Sequence, residues 1–169
     1  MTNETFATIN KIFNVTPSLL TSSLNDSITD MIMKDVNTCS SKYGYILSIN
    51  NIIISEVRIS SATSLPVAVV KYDVVTLKPK EGDTFRGVCV ILKEDAILVR
   101  VRNVMFIRIP FMKLVHHSFD KAKNVYVSNN EKKWSSVRIG DELDVLVYAV
   151  RCDKNVNGKH EFKCIGELR

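Results

Sequence analysis

Between Lys78 and Val88 the chain reads Lys-Pro-Lys-Glu-Gly-Asp-Thr-Phe-Arg-Gly-Val, and this stretch limits what the rest can fold into. Pro79 cannot donate to a strand ladder, so one strand must end there. Gly82 supplies a tight turn, and the strand that follows carries a second glycine, Gly87, in its interior. A glycine inside a strand marks a sharp bend or a close backbone approach, the corner geometry of a small barrel. The charge changes at the same point. Residues 1–79 hold 6 Lys and Arg against 6 Asp and Glu, whereas residues 80–169 hold 17 against 12. The whole net charge of +5 therefore lies in the second half, which suits a docking module joined to a module that binds a polyanion.

A chain of 169 residues supports one large or two small domains. With 46% hydrophobic and 24% charged residues it belongs with globular chains, not disordered ones. Apolar runs such as Ile52-Ile53-Ile54 are too short to span a bilayer. The start, Met1-Thr2-Asn3-Glu4, lacks the basic and then apolar pattern of a secretory signal. The expectation is a soluble, intracellular protein with no membrane partner. The cysteines at 39, 89, 152 and 164 show no Cys-x-x-Cys spacing, so no zinc knuckle is read here. Cys89 and Cys164 fall in apolar strand patterns and read as small buried hydrophobes. No metal and no cofactor is expected.

Phe6 to Val15 reads as a short strand. Pro17-Ser18 then precedes Leu20, Leu24, Ile28, Met31 and Ile32, whose spacing predicts a helix over roughly 18–36. Tyr43 to Ile49 and Ile52 to Ile59 read as the two strands of a hairpin turning at Asn50-Asn51, and Pro66 to Leu77 as a long third strand. A helix on a small antiparallel sheet is an α+β layer. Five further strands are read at about 84–92, 96–102, 104–109, 141–150 and 161–168, with a long connection from Pro110 to Ile139. In that connection the sequence suggests a short helix near Phe111–His117 and a mobile loop around Ser128-Asn129-Asn130. Five strands with a long connection after the third predict an OB-fold β-barrel.

Alternation within those strands sorts the side chains. Phe85, Gly87, Cys89, then Ile97, Val99, Val101, then Met105, Ile107, Ile109 form apolar sets that belong inside. Arg86, Arg100, Arg102, Phe106 and Arg108 are then left outside, on the face that OB barrels use for oligonucleotides. Arginines grip phosphates and an aromatic ring stacks on a base, so these five are the candidate nucleic-acid-binding residues. The same residues also fit an ordinary solvated face, with Phe106 in the core and the alternation misread by one. The sequence leaves both readings open.

Other candidates are weaker. His116-His117 have no Asp or Glu at ligand spacing and read as structural. Trp134 reads as an anchor for the long connection ahead of a base-stacking surface. Asp141, Glu142 and Asp144 follow Gly140 in what reads as a solvated turn. There is no Gly-rich phosphate loop and no Gly-x-Ser-x-Gly elbow, so no catalytic residues are assigned.

Three stretches in order carry a family resemblance: Lys42-Tyr43-Gly44-Tyr45-Ile46-Leu47, Val70 to Pro79 (Val-Lys-Tyr-Asp-Val-Val-Thr-Leu-Lys-Pro), and Gly82 to Gly87. Together they resemble the larger stalk subunit of multisubunit DNA-dependent RNA polymerases of the eukaryotic and archaeal type. Val15-Thr16-Pro17-Ser18-Leu19-Leu20 is similar to the family's segment before its helix. Ile139 to Val145 is similar to the fourth strand of RNA-binding barrels of the ribosomal-protein S-one class. The resemblance implies a non-catalytic subunit of two parts. Residues 1–79 would be a truncated RNP-like α/β domain docking on the polymerase core, and residues 80–169 an OB barrel contacting nascent single-stranded RNA. The resemblance thus makes Arg86, Arg100, Arg102, Phe106 and Arg108 the RNA-binding set. A smaller second stalk subunit would bind alongside. The core-docking residues would be Pro17, Ser18, Leu19 and Leu20 with Ser60, Ser61, Thr63 and Leu65. The chain departs from the pattern in two places, with no Gly-rich loop at 60–64 and no exposed aromatic in the strand at Asp95 to Val99. That divergence, with 13 Asn and 16 Ile, suggests a large DNA virus as source, hence a cytoplasmic viral factory or virion, or the nucleus for a cellular protein. The alternatives are a stand-alone OB-fold RNA-binding protein of translation or RNA decay, and a scaffold whose barrel meets only protein.

Overall fold

Eleven strands and one α-helix account for most of residues 4–16, 18, 23–129 and 135–169, which are those the computed structural model describes. The chain divides into two compact units, Glu4–Lys78 and Pro79–Arg169.

In the first unit, β1 (Glu4–Asn14), β2 (Cys39–Ser40), β3 (Gly44–Ile59) and β4 (Pro66–Leu77) form one antiparallel sheet in the order β1-β4-β3-β2. Helix α1 (Leu24–Met33) buries Ile28 and Ile32 against Val15, Ile46, Ile49, Ala68, Val70, Tyr72 and Val74. The spacing of Leu24, Ile28 and Ile32 places them on one stripe, and sheet packing holds a helix too short to persist alone. Lys11 on β1 reaches Asp35, just beyond the helix, at 2.8 Å.

The α+β expectation, with a truncated RNP-like α/β domain at the N-terminus, is corrected here: the chain is mostly β and no such domain is formed. Two local misreadings explain it. The helical spacing over 18–36 yields a helix of only ten residues. The expected hairpin turn at Asn50-Asn51 is instead a bulge inside one 16-residue strand, β3. Asn51 takes a left-handed φ of 51° and its side-chain amide donates to Asp73 at 3.0 Å, while Thr8 donates to the same carboxylate at 2.7 Å. Those hydrogen bonds hold the Asp73 carboxyl below its ordinary range and pin β3 to β4 across the irregularity.

In the second unit, β5 (Thr84–Lys93), β6 (Ala96–Val101), β7 (Met105–Pro110), β10 (Glu142–Lys154) and β11 (His160–Leu168) close into a barrel in the order β10-β11-β7-β6-β5. All neighbours are antiparallel except β11 and β7, which run parallel. The interior holds Ile97, Val99, Val101, Met105, Ile107 and Ile109, each nearly inaccessible, with Phe85, Cys89, Val145, Val147, Phe162 and Cys164. Burying a side chain of this size is worth roughly 1.5–3 kcal/mol, so these rows are the main stabilising term of the unit. The short helix expected near Phe111–His117 is a 3-10 turn confined to Phe111–Lys113, and it is followed among the described residues by a hairpin of β8 (His117–Asp120) and β9 (Val125–Ser128). Ser128 ends β9 and Asn129 bonds back to the His116 carbonyl at 2.8 Å, where the sequence suggests a mobile loop; Asn130 lies outside the described residues.

The thiols give a direct check on the interior. Burial pushes the Cys89 thiol up to about 11 and the Cys164 thiol up to about 12, whereas Cys152 is exposed. In native protein at pH 8 a disulfide reagent should label Cys152 and spare Cys89 and Cys164 until the barrel unfolds. Because both folded values lie above the ordinary 9.0, stability is fully present below about pH 9 and falls as pH rises towards 12. Rapid native labelling of Cys164, followed by mass spectrometry, would contradict this interior.

Candidate nucleic-acid interface

The outer surface of the barrel is built by the same alternation that fills its interior. On β7, Met105 and Ile107 are fully buried while Phe106 between them is 42% exposed, so the reading that places Phe106 in the core is excluded. Arg86, Arg100 and Arg108 point outward from β5, β6 and β7.

Strand register joins these side chains into rows. Val88 pairs with Arg100, and Arg100 with Phe106. Because Cys164 on β11 lies beside Ile107, Lys163 comes next to Phe106 on the outer surface, and Arg151 on β10 pairs with Lys163. The result is a row Val88–Arg100–Phe106–Lys163–Arg151 across all five strands. Two residues along, a second row runs Ile91–Leu98–Arg108–Ile165, with Ile91 and Ile165 each 42% exposed. One row is cationic with an aromatic ring at its centre, and the other is apolar with one arginine.

Arg102 does not join them. It sits in the β6–β7 turn, where Arg102 and Asn103 both adopt left-handed φ (51° and 59°), as a type I′ turn requires. Lys163 and Arg151 are not among the residues that the sequence singles out. Their outward direction is legible from the alternation Phe162-Lys163-Cys164, but their place beside Phe106 depends on the parallel β11–β7 pairing, which joins residues more than fifty positions apart.

Carboxylates already occupy several of the cations. Arg86 Nε lies 3.2 Å from Glu142 and 4.0 Å from Asp144, and Arg108 Nη2 lies 2.7 Å from Asp95. Asp153 holds Arg151 at 2.7 Å and Lys163 at 3.3 Å. Among the described residues, Arg100 has no carboxylate at ion-pair distance. These pairs are solvent-exposed and weak, so phosphate oxygens can replace the carboxylates at small cost.

The β5–β6 turn at the edge of the apolar row is held unusually firmly. Tyr126, fully buried, donates its hydroxyl to the Lys93 carbonyl at 2.6 Å and the Glu94 carbonyl at 3.2 Å. The Phe111 N–H donates to the Asp95 carbonyl at 2.9 Å. Burial, then the charges of Asp95 and Glu94, raise the Tyr126 pKa, so the phenol stays a donor. Below this turn lies a cleft of about 270 Å³ lined by Ile91, Lys93, Asp95, Ala96, Ile97, Leu98 and Arg108. A larger cleft of about 570 Å³ includes Asp141, Glu142 and Asp144 with His117 and Arg169, and its acidic lining repels a polyanion. His117 is buried with Nε2 3.0 Å from the Ser135 carbonyl, a structural placement. Trp134 lies outside the described residues. Among the described residues, no group of three His, Cys, Asp or Glu converges as a metal ligand set.

Of the candidate docking residues, Pro17, Leu19 and Leu20 lie outside the described residues. Ser60, Ser61, Thr63 and Leu65 form the β3–β4 hairpin tip, closed by Ser60 N–H to the Leu65 carbonyl at 2.9 Å. Val15 N–H bonds to the Pro66 carbonyl at 2.9 Å, so the residue that follows β1 lies beside the start of β4, next to that tip, and Ser18 is exposed. Ile59 and Leu65 flank the tip and are largely exposed.

Among the described residues, no helix is long and apolar enough to cross a membrane. No protein-family model matches the chain, and no curated protein is significantly similar to it.

Proposed function

We propose that this chain binds single-stranded RNA across the outer surface of its barrel, and that it does so as a non-catalytic subunit of a DNA-dependent RNA polymerase. The observation that carries the first part is the row Arg100–Phe106–Lys163–Arg151, cations on either side of an exposed ring. Phosphates meet the cations and one base stacks on Phe106, a mode that needs no sequence preference. The second part rests on the three ordered sequence stretches at 42–47, 70–79 and 82–87. It is further supported by the hairpin tip Ser60 to Leu65, whose exposed Leu65 leaves a surface that a core subunit could hold.

The test is capture of the tagged full-length chain from its native source, with the co-purifying chains identified by mass. Recovery of two very large polymerase subunits and one small companion is the expected result. Recovery of ribosomal or decay factors, or of RNA alone, would retain the barrel's role and overturn the polymerase assignment.

A further inference from the structure

We infer that the 270 Å³ cleft beneath the β5–β6 turn is a base-reading pocket that selects guanine in the bound RNA strand. The inference rests on the RNA-binding reading above and adds specificity to it. The cleft adjoins the Arg100–Phe106 row and opens along the apolar row that starts at Ile91 and Leu98. Its accessible apolar surface is Ile91 with half-buried Leu98, and it suits the flat apolar face of a base. Its polar side chains are Lys93 and, side by side at 2.7 Å, the carboxylate of Asp95 and the guanidinium of Arg108.

Asp95 differs from the other surface carboxylates in that it lines a cleft with an apolar side, where it can accept hydrogen bonds from a base. Each partner of the Asp95–Arg108 pair keeps groups to spare after their mutual bond: Asp95 its second oxygen, and Arg108 further N–H donors. The pair therefore offers an acceptor next to a donor. Guanine answers with O6 as acceptor beside N1–H and the N2 amine, two adjacent donors for a single carboxylate. Adenine and cytosine each present one amine beside an acceptor, and uracil a single N–H.

The pocket is also preorganised. The three consecutive carbonyls of Lys93, Glu94 and Asp95 are all engaged, the first two sharing the single O–H proton of buried Tyr126, mainly with Lys93, and the third accepting from the Phe111 N–H. A turn fixed at three successive residues holds Asp95 in place before the ligand arrives, so little ordering remains to oppose binding. An ordinary solvated turn needs no such support from a fully buried tyrosine.

The experiment measures fluorescence anisotropy of the full-length chain with labelled oligouridine of about eight residues and with the same strand carrying one central G, A, C or inosine. The G strand should bind about tenfold tighter than all-U, as one good bidentate contact provides. Inosine, which lacks the N2 amine, should lose much of that gain. Asp95→Asn should remove the preference for G, and because it also frees Arg108 for phosphate, all-U affinity should hold or rise. Equal binding of all five strands overturns the pocket and leaves the RNA-binding surface standing. Failure of every strand to bind overturns both. A preference for G that survives in Asp95→Asn and in Arg108→Met places the selectivity elsewhere and overturns the assignment of these residues.

Discussion

Replacing Gly166 by alanine is expected to cost the second unit about 1–3 kcal/mol, and replacement by valine to cost more, enough to leave little folded protein. Gly166 lies on β11, the strand that closes the barrel between β10 and β7. A Cβ there would overlap Val145 Cγ1 and stand 2.8 Å from Ile107 Cγ2 and 3.0 Å from the Leu146 carbonyl. The side chains have nowhere to go, because Val145 and Ile107 are fully buried. The carbonyl belongs to the neighbouring strand and cannot rotate away without breaking the ladder. Gly82 makes the contrast. Its φ is +87° and nothing lies within 4 Å of where a Cβ would sit, so the cost of Gly82→Ala is conformational, about 1 kcal/mol. Asparagine tolerates that backbone region, so Gly82→Asn should recover part of the loss, whereas Gly166→Asn should recover none. Urea midpoints followed by circular dichroism distinguish the two cases. A Gly166→Ala midpoint equal to wild type would mean that β11 does not approach β10 and β7 as described.

What the sequence made legible follows the range of the interactions involved. The barrel strands and the inward or outward direction of their residues were readable because both follow from period-two alternation, a property of neighbours in the chain. Gly87 stands out in the sequence as a close approach, and a Cβ there would come 2.7 Å from the Arg100 carbonyl. Gly166 does not, although it sits in the same kind of strand, because its crowding comes from two strands that the sequence does not place beside it. The N-terminal half misleads for a related reason. Asn50-Asn51 carries a strong local turn signal, and only the distant partners Thr8 and Asp73 decide that the chain bulges there and continues. The β8–β9 hairpin is hidden since Val125 to Ser128 is four residues long, too brief for a periodicity to show. On the candidate interface, Arg100, Phe106 and Arg108 stand outward on the neighbouring strands β6 and β7. Arg102 falls off it because the β6 alternation, extended by one residue, runs into a turn.

Reversing the charge of Arg100 together with Lys163, as Arg100→Glu and Lys163→Glu, should lower affinity for single-stranded RNA by a factor of at least about a hundred at moderate salt. The argument depends on which cations are already engaged. Arg86 faces Glu142 and Asp144, so phosphate binding there must first displace carboxylates, and its reversal should have the smaller effect. Arg100 is centred in the row beside Phe106 with no carboxylate at ion-pair distance among the described residues, so its reversal removes an attraction and installs a repulsion at the stacking position. Lys163 lies on the other side of Phe106, and its reversal sets a carboxylate beside Asp153, which is left with Arg151 as its partner. Every phosphate left without its cation should reduce the slope of log affinity against log salt by about 0.7, so the double variant should flatten it by about 1.4 relative to wild type. Phe106→Ala tests the other half of the mode. It should weaken binding by about 1–3 kcal/mol with the salt slope unchanged, since stacking releases no counterions. The discriminating measurement is therefore the salt titration, not affinity at one condition. A slope unchanged in the charge-reversed variant would move the RNA off this surface, and a slope changed by Phe106→Ala would mean that the ring positions the arginine and does not stack on a base.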